Sequence, residues 1–206
     1  MESEHYQFQF IAGNLALDFV NTVAFRADAA KMQDHLQRAE DARRWAIEAQ
    51  LPDWEALGSG RRVGATAVRH IREVRERLFA VFHAIARGDP IPANALARIS
   101  TTLHDCSAKR RLSTDGDDVR WSWASTARST DYLLYPVLTA AIDLLTSGSR
   151  GVVRQCEDAG CGWLFLDRSN ARKRRWCSMA DCGNRNKARN YYRRTSPRER
   201  GTVNTG

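Results

Sequence analysis

The sequence has no apolar run of about 18 residues, so no membrane-spanning helix is expected. Its first residues, Met1-Glu2-Ser3-Glu4-His5, are acidic rather than basic, and no apolar stretch follows them. A secretory signal is therefore not expected, and the reducing cytoplasm is the expected compartment. There is no phosphate-cradling glycine loop, no H-E-x-x-H, no G-x-S-x-G, and no H-x-E with the cysteine pair of a deaminase. With nothing to assign as acid, base or nucleophile, a binding protein is expected rather than an enzyme. Internal repeats and low-complexity blocks are also missing. An apolar content of 43% with 27% charged residues excludes a mostly disordered chain. The 206 residues suffice for one medium domain, or a modest domain with a small appendage, and for a core that needs no staples.

Acidic residues are scarce in one region. From Arg150 to Gly206 there are 14 basic and 5 acidic side chains, a charge of +9, whereas the preceding residues sum to −1. A basic module attached to an ordinary domain is implied. Taken alone, a basic run reads equally well as a solvated tail or a nucleic-acid surface. The cysteines decide between these. Of five, Cys106 stands alone; Cys156, Cys161, Cys177 and Cys182 fall in the pattern C-x4-C-x15-C-x4-C. Two short knuckles of this kind deliver two thiolates each to the corners of a zinc tetrahedron. A disulfide reading needs an oxidising compartment, and unrelated structural cysteines would not fall in symmetric pairs. None of the histidines (His5, His35, His70, His83, His104) lies in the segment, so one four-cysteine Zn2+ site is expected. Such a site has no open position, which makes the zinc structural, and its binding energy should hold the module folded.

Gly162 to Asp167 is strand-like, Arg168 to Ala171 turn-like, and Arg172 to Trp176 returns as the second arm of an expected hairpin. After Cys182 a proline-free stretch to Arg194 suits a helix. Knuckle, hairpin and helix with a ligand near the helix start is a treble-clef arrangement. Cys182-Gly183-Asn184-Arg185 is a literal CGNR sequence, preceded by Trp163-Leu164-Phe165-Leu166-Asp167 and by Arg174-Arg175-Trp176-Cys177. This segment resembles the CGNR zinc finger of bacterial transcription regulators, in which the finger follows an ABATE domain described as a stress-induced regulator domain. Gly13-Asn14-Leu15-Ala16-Leu17-Asp18-Phe19-Val20-Asn21-Thr22 resembles the signature that opens that domain. The resemblance implies a DNA-binding regulator.

The candidate nucleic-acid residues form two groups. Arg172, Lys173, Arg174 and Arg175 lie on the return arm; Arg185, Lys187, Arg189, Arg193 and Arg194 lie on the helix. Arg185, Arg189 and Arg193 are spaced to share one helix face, and no acidic residue between Cys182 and Arg194 neutralises them locally, so phosphates are their natural partner. Tyr191 and Tyr192 are expected to pack the helix onto the hairpin. Trp163, Phe165 and Trp176 are expected to form a mini-core around the metal, since base stacking would need them exposed. One finger is a small footprint, so specific recognition of double-stranded DNA points to a homodimer. RNA binding or protein docking is the alternative use of the same module.

The whole reads as a mainly α chain with some β (α+β). Residues 1–148 form a helical ABATE-like sensor or dimerisation domain with a small β-hairpin, and residues 149–206 form the finger. Helices are expected over about Arg38 to Gln50, Arg62 to Arg87, a shorter one begun by Pro92, and Ser129 to Thr146, interrupted or kinked at Pro136. A hairpin is expected from Leu112 to Trp123 around Asp115-Gly116, with Ser147-Gly148-Ser149 as a hinge into the finger. Asp18, Asn21, Thr22 and Arg26 sit among apolar residues. Helix capping and turn hydrogen bonds are the ordinary use of such residues. The alternative is a polar contact to a small-molecule effector, with Asn21 and Arg26 orienting it. Trp121, Trp123 and Tyr132 are expected as core, or else as pocket walls. His83 reads as a core or boundary histidine. Cys106 reads as an ordinary thiol, since redox sensing would need a pKa lowered by Lys109-Arg110-Arg111.

Overall fold

The computed structural model describes residues 6–51 and 64–195. Its elements are mainly helical with short antiparallel strand pairs. α1 (Leu15–Val20) is a short buried helix whose N-cap, Asn14, accepts a hydrogen bond from the Ala16 amide at 2.9 Å. β1 (Val23–Ala24) pairs antiparallel with β2 (Gln33–Asp34). α2 (Ala39–Glu48) starts where Asp41 accepts from the Arg38 and Gln37 amides. α3 (Ala65–Arg87) buries Val68, Ile71, Val74, Leu78 and Phe82, the three-four rhythm of the sequence, and ends at Gly88 with φ +72°. The expected start of this helix at Arg62 lies outside the described residues. α4 (Ala93–Ser107) follows Pro92, and β3 (Arg110–Asp115) pairs with β4 (Asp118–Trp123) across Gly116-Asp117. α5 (Ser129–Thr146) runs on through Pro136 as one helix, its apolar face buried by Leu133, Leu134, Val137, Leu138 and Ala141.

At Ser147–Ser149, where a hinge is expected, the chain forms a capped turn. Ser147 accepts from the Ser149 amide and donates to Leu144, and a 3-10 turn (Gly148–Val152) leads straight into β5 (Val153–Gln155). β5 pairs with β6 (Leu164–Leu166), and α6 (Asn184–Thr195) closes the described chain after a wide turn over Met179–Gly183. The finger does not stand apart. Its four cysteines, Trp163 and Leu164 to Leu166 belong to the same apolar cluster as α1, α3 and α5. α1 lies at the centre and packs against α3, α5 and β6.

Polar contacts fix this docking. The Asn21 amide donates to the Leu164 carbonyl at 2.8 Å and accepts from the Leu164 amide at 2.9 Å. Trp163 donates its indole N–H to the Val23 carbonyl, and the Arg26 amide donates to the Cys161 carbonyl. Gly162, at φ +73°, allows the approach: a Cβ there would lie 2.9 Å from the Arg26 Cβ. A second buried anchor ties β2 to α3. Arg75, 2% exposed, meets both Asp34 oxygens at 2.7 Å. Burial alone would raise Asp34, but hydrogen bonds and charge from Arg75, with Arg72 beyond, hold it down at about 2.

Two expectations about the hairpins change. β6 pairs with β5, ahead of the first ligand, and Arg172–Trp176 is not a strand. Asp167 takes the place of a ladder by accepting from the Ser169 amide and hydroxyl and from the Arg174 amide. Between β3 and β4, Leu112, Val119 and Trp121 share one face of the hairpin and are exposed, so Trp121 is not core. Trp123, by contrast, stacks on Tyr132.

Candidate metal centre and nucleic-acid interface

The β5–β6 turn carries Cys156 and Cys161; Cys177 ends the basic arm, and Cys182 lies in the wide turn that opens α6. All four thiols are buried, and their sulfurs lie within 4.8 Å of one another. The Cys161–Cys177 and Cys177–Cys182 separations are both 3.6 Å. A tetrahedron of metal–sulfur bonds of about 2.3 Å has edges of roughly 3.8 Å, so the cluster has the size that zinc needs. The donor chemistry agrees. Hydrogen bonds from Cys161 and Cys177 hold the Cys156 thiol far below its usual range, at about 2. Contact with Cys156 pushes Cys161 and Cys177 up, and burial pushes Cys182 up. Four thiols this close cannot all ionise without a compensating charge, and a divalent cation bound among them is what would supply it. These four residues would hold one structural zinc, whose charge stabilises all four thiolates.

The ABATE profile, described as "Putative stress-induced transcription regulator", matches residues 13–148, and the CGNR zinc finger profile matches residues 153–195. The chain belongs to the ABATE family. No curated protein matches the sequence. In this ABATE protein the finger profile covers all four ligands and α6.

The arrangement of the basic residues differs from the expectation that nothing local neutralises them. Asp158, two residues after the first ligand and 2% exposed, reaches α6. Its Oδ2 accepts from Arg185 at 3.1 Å, Asn186 at 2.8 Å and Arg189 at 3.2 Å. Arg185 also donates to the Cys182 sulfur at 3.1 Å, a charge-assisted bond onto a metal ligand. On the arm, Arg174 donates to the Trp176 and Cys177 carbonyls and lies 4.4 Å over the Phe165 ring. Arg175 pairs with Glu157. Four of the nine candidate cations thus build the finger. Arg172, Lys173, Lys187, Arg193 and Arg194 are exposed and have no carboxylate partner among the described residues.

No residue of α6 is buried. Tyr191 and Tyr192, expected against the hairpin, are 65% and 67% exposed and touch each other edge to face. The helix is held at its root by Asp158, and among the described residues no element packs alongside its far end to receive the rings. Trp163 and Phe165 are core.

Asp18, Asn21, Thr22 and Arg26 are all committed to the protein. Asp18 accepts from the Ala12 amide, and burial pushes its carboxyl up to about 6. Asn21 clamps Leu164. Thr22 donates to the Phe19 carbonyl and accepts from Arg75. Arg26 pairs with Glu76 and lies 4.1 Å over the Phe79 ring. Cys106 has the surroundings of an ordinary buried thiol: burial and the neighbouring Asp131 carboxylate push it up to about 12, while Lys109 is taken by Asp131. Asp158 escaped the sequence reading because its partners lie 27 to 31 residues away. Its position inside the first knuckle was the one available signal.

Proposed function

We propose that this ABATE protein is a DNA-binding transcription regulator that grips duplex DNA with α6 and the basic arm, and whose helical body receives a signal. One observation carries the reading: a helix with no buried residue starts at a root held by Asp158 and Cys182 and presents Lys187, Arg193 and Arg194, which have no neutralising carboxylate among the described residues. Arg172 and Lys173 add two more cations on the arm. A helix of 12 residues spans about 18 Å and fits the major groove. Asn190 and the tyrosines supply hydrogen-bonding edges, and the cations set register on the phosphates. The protein acts by binding; no residue is assigned to chemistry. Two copies would enlarge the footprint of a single finger to that of a specific site.

Exposed Tyr191 and Tyr192 favour a second reading, in which unpaired RNA bases stack on the two rings. Fluorescence anisotropy separates the two. Duplex fragments and single-stranded RNA of matched length are titrated at several salt concentrations, with a zinc-stripped control. Fragment-selective duplex binding with a steep salt slope, lost on stripping, supports the regulator. Preference for single-stranded RNA would move the finger to the second reading.

A further inference from the structure

The β3–β4 hairpin is a sheet of its own, so among the described residues each of its strands keeps an open edge. Its side chains alternate cleanly. Leu112, Thr114, Val119, Trp121 and Trp123 share one face; Arg111, Ser113, Asp115, Asp118 and Arg120 share the other. The apolar face rests on the body at its base, where Trp123 stacks on Tyr132 and meets Tyr135 edge to face. Beyond that point Leu112, Val119 and Trp121 are 64%, 68% and 57% exposed. Together they leave an apolar patch on the order of a few hundred Å², a size at which surface patches are often functional. Charge changes sign along β3: Lys109, Arg110 and Arg111 stand at the base, and Asp115, Asp117 and Asp118 at the tip. Lys109 is taken by Asp131. Arg111 has no carboxylate partner among the described residues and donates to the Ala108 and Arg110 carbonyls. At the tip Asp115 lies directly across from Asp118, a like-charge pair, with Arg120 at 3.0 Å from Asp115 as the one cation among the described residues.

Edge, patch and charge fit one occupant, a second copy of the same hairpin. A strand that is basic at its start and acidic at its end is repelled by a parallel copy of itself and attracted by an antiparallel one. β4 has no such self-complement, since it is acidic at its start and carries no cation at its end. The backbone of β3 is also turned the right way. The Ala124 amide donates to the Lys109 carbonyl, so in this register the amides and carbonyls of Leu112 and Thr114 face outward, away from β4. We propose that two copies of the chain join through their β3 edges about a two-fold axis at Ser113, forming one four-stranded antiparallel sheet. Leu112 then pairs with the partner's Thr114, and Arg111 lies beside the partner's Asp115 on the polar face. The axis stands perpendicular to the sheet, so both helical bodies lie on its apolar side and each tip points toward the partner's body. Leu112, Val119 and Trp121, which overhang their own α5, gain their cover there. The doubled footprint this gives a duplex-binding finger rests on the DNA-binding reading; the pairing itself does not.

The test is sedimentation velocity on the zinc-loaded full chain, without nucleic acid, over a range of micromolar concentrations. A monomer–dimer equilibrium is expected there, as suits an interface of modest area. Arg111→Asp should weaken the dimer by about tenfold or more, and so should Asp115→Arg. Both changes in one chain should recover most of the affinity, because the two-fold axis sets position 111 of one copy beside position 115 of the other. Trp121→Ser, at an exposed position, should also weaken the dimer by about tenfold with its helical circular dichroism intact, and it carries the test if a charge variant fails to fold. A monomer throughout the range, a dimer unchanged in folded Arg111→Asp or Trp121→Ser protein, or a double variant no better than the single ones would overturn the proposal. Duplex binding, titrated separately on the parent chain, reports on the DNA reading alone.

Discussion

Asn21→Ala should loosen the finger from the helical body. The side chain acts as a one-residue strand, giving Leu164 both a donor and an acceptor in a site closed to water. Truncation leaves the Leu164 N–H and C=O buried without partners. Each such group costs about 1–3 kcal/mol, and some of that returns if water enters the space, so a total near 3 kcal/mol is expected. For a chain of this size that lowers Tm by about 6–12 °C. Asn21→Asp should be at least as harmful, because it keeps the acceptor but sets a carboxylate against the Leu164 carbonyl. Urea unfolding followed by circular dichroism gives the stability. Zinc release to a chromogenic chelator shows whether the metal leaves earlier, as it should when the segment between the two ligand pairs is loosened. An Asn21→Ala protein within about 0.5 kcal/mol of the parent, releasing zinc at the parental rate, would refute the argument that this clamp joins the two regions.

Cys177→Ser should abolish zinc binding and lower the melting temperature of the whole chain, because the ligands share the body's core; calorimetry showing an unchanged main transition would contradict this. Asp158→Ala should weaken duplex binding even though it removes a negative charge, since α6 loses its anchor; anisotropy showing tighter binding would contradict the positioning role. Replacing Lys187 or Arg194 by Gln should weaken binding to all duplexes similarly and reduce the salt slope by about one. Asp18 is raised in the folded state from its ordinary 3.8 to about 6, so the native protein binds the proton more tightly than the unfolded chain. Its contribution to stability is therefore greatest below about pH 4 and falls by about 3 kcal/mol as pH rises through 6. Asp18→Asn should flatten that part of the pH–stability curve measured by urea titration.

The metal site was legible in the sequence because its ligands are local. A four-residue gap within each cysteine pair forces each pair together whatever the rest of the chain does, and the absence of histidine leaves only thiolates. The long helices were legible for the same reason: Val68, Ile71, Val74, Leu78 and Phe82 announce a buried stripe without naming what covers it. Pairing over distance was not legible. The strand partner of Leu164–Leu166 lies before the first ligand, and Asp167 uses three hydrogen bonds to hold the arm that the strand pattern assigned to a hairpin. The role of the polar cluster from Asp18 to Arg26 also depended on distant groups: Leu164, Arg75 and Glu76.

Charge shows the division between sequence and structure most clearly. Composition placed the entire positive excess in the last quarter of the chain. It could not say which cations are spent on the fold, because Coulomb and hydrogen-bond partners are set by proximity in space rather than along the chain. Asp158 takes Arg185 and Arg189, carbonyls take Arg174, and Glu157 takes Arg175. What remains without a carboxylate partner among the described residues is a smaller set than the sequence offered: Arg172 and Lys173 on the arm, and Lys187, Arg193 and Arg194 on a helix whose root is held by one buried carboxylate.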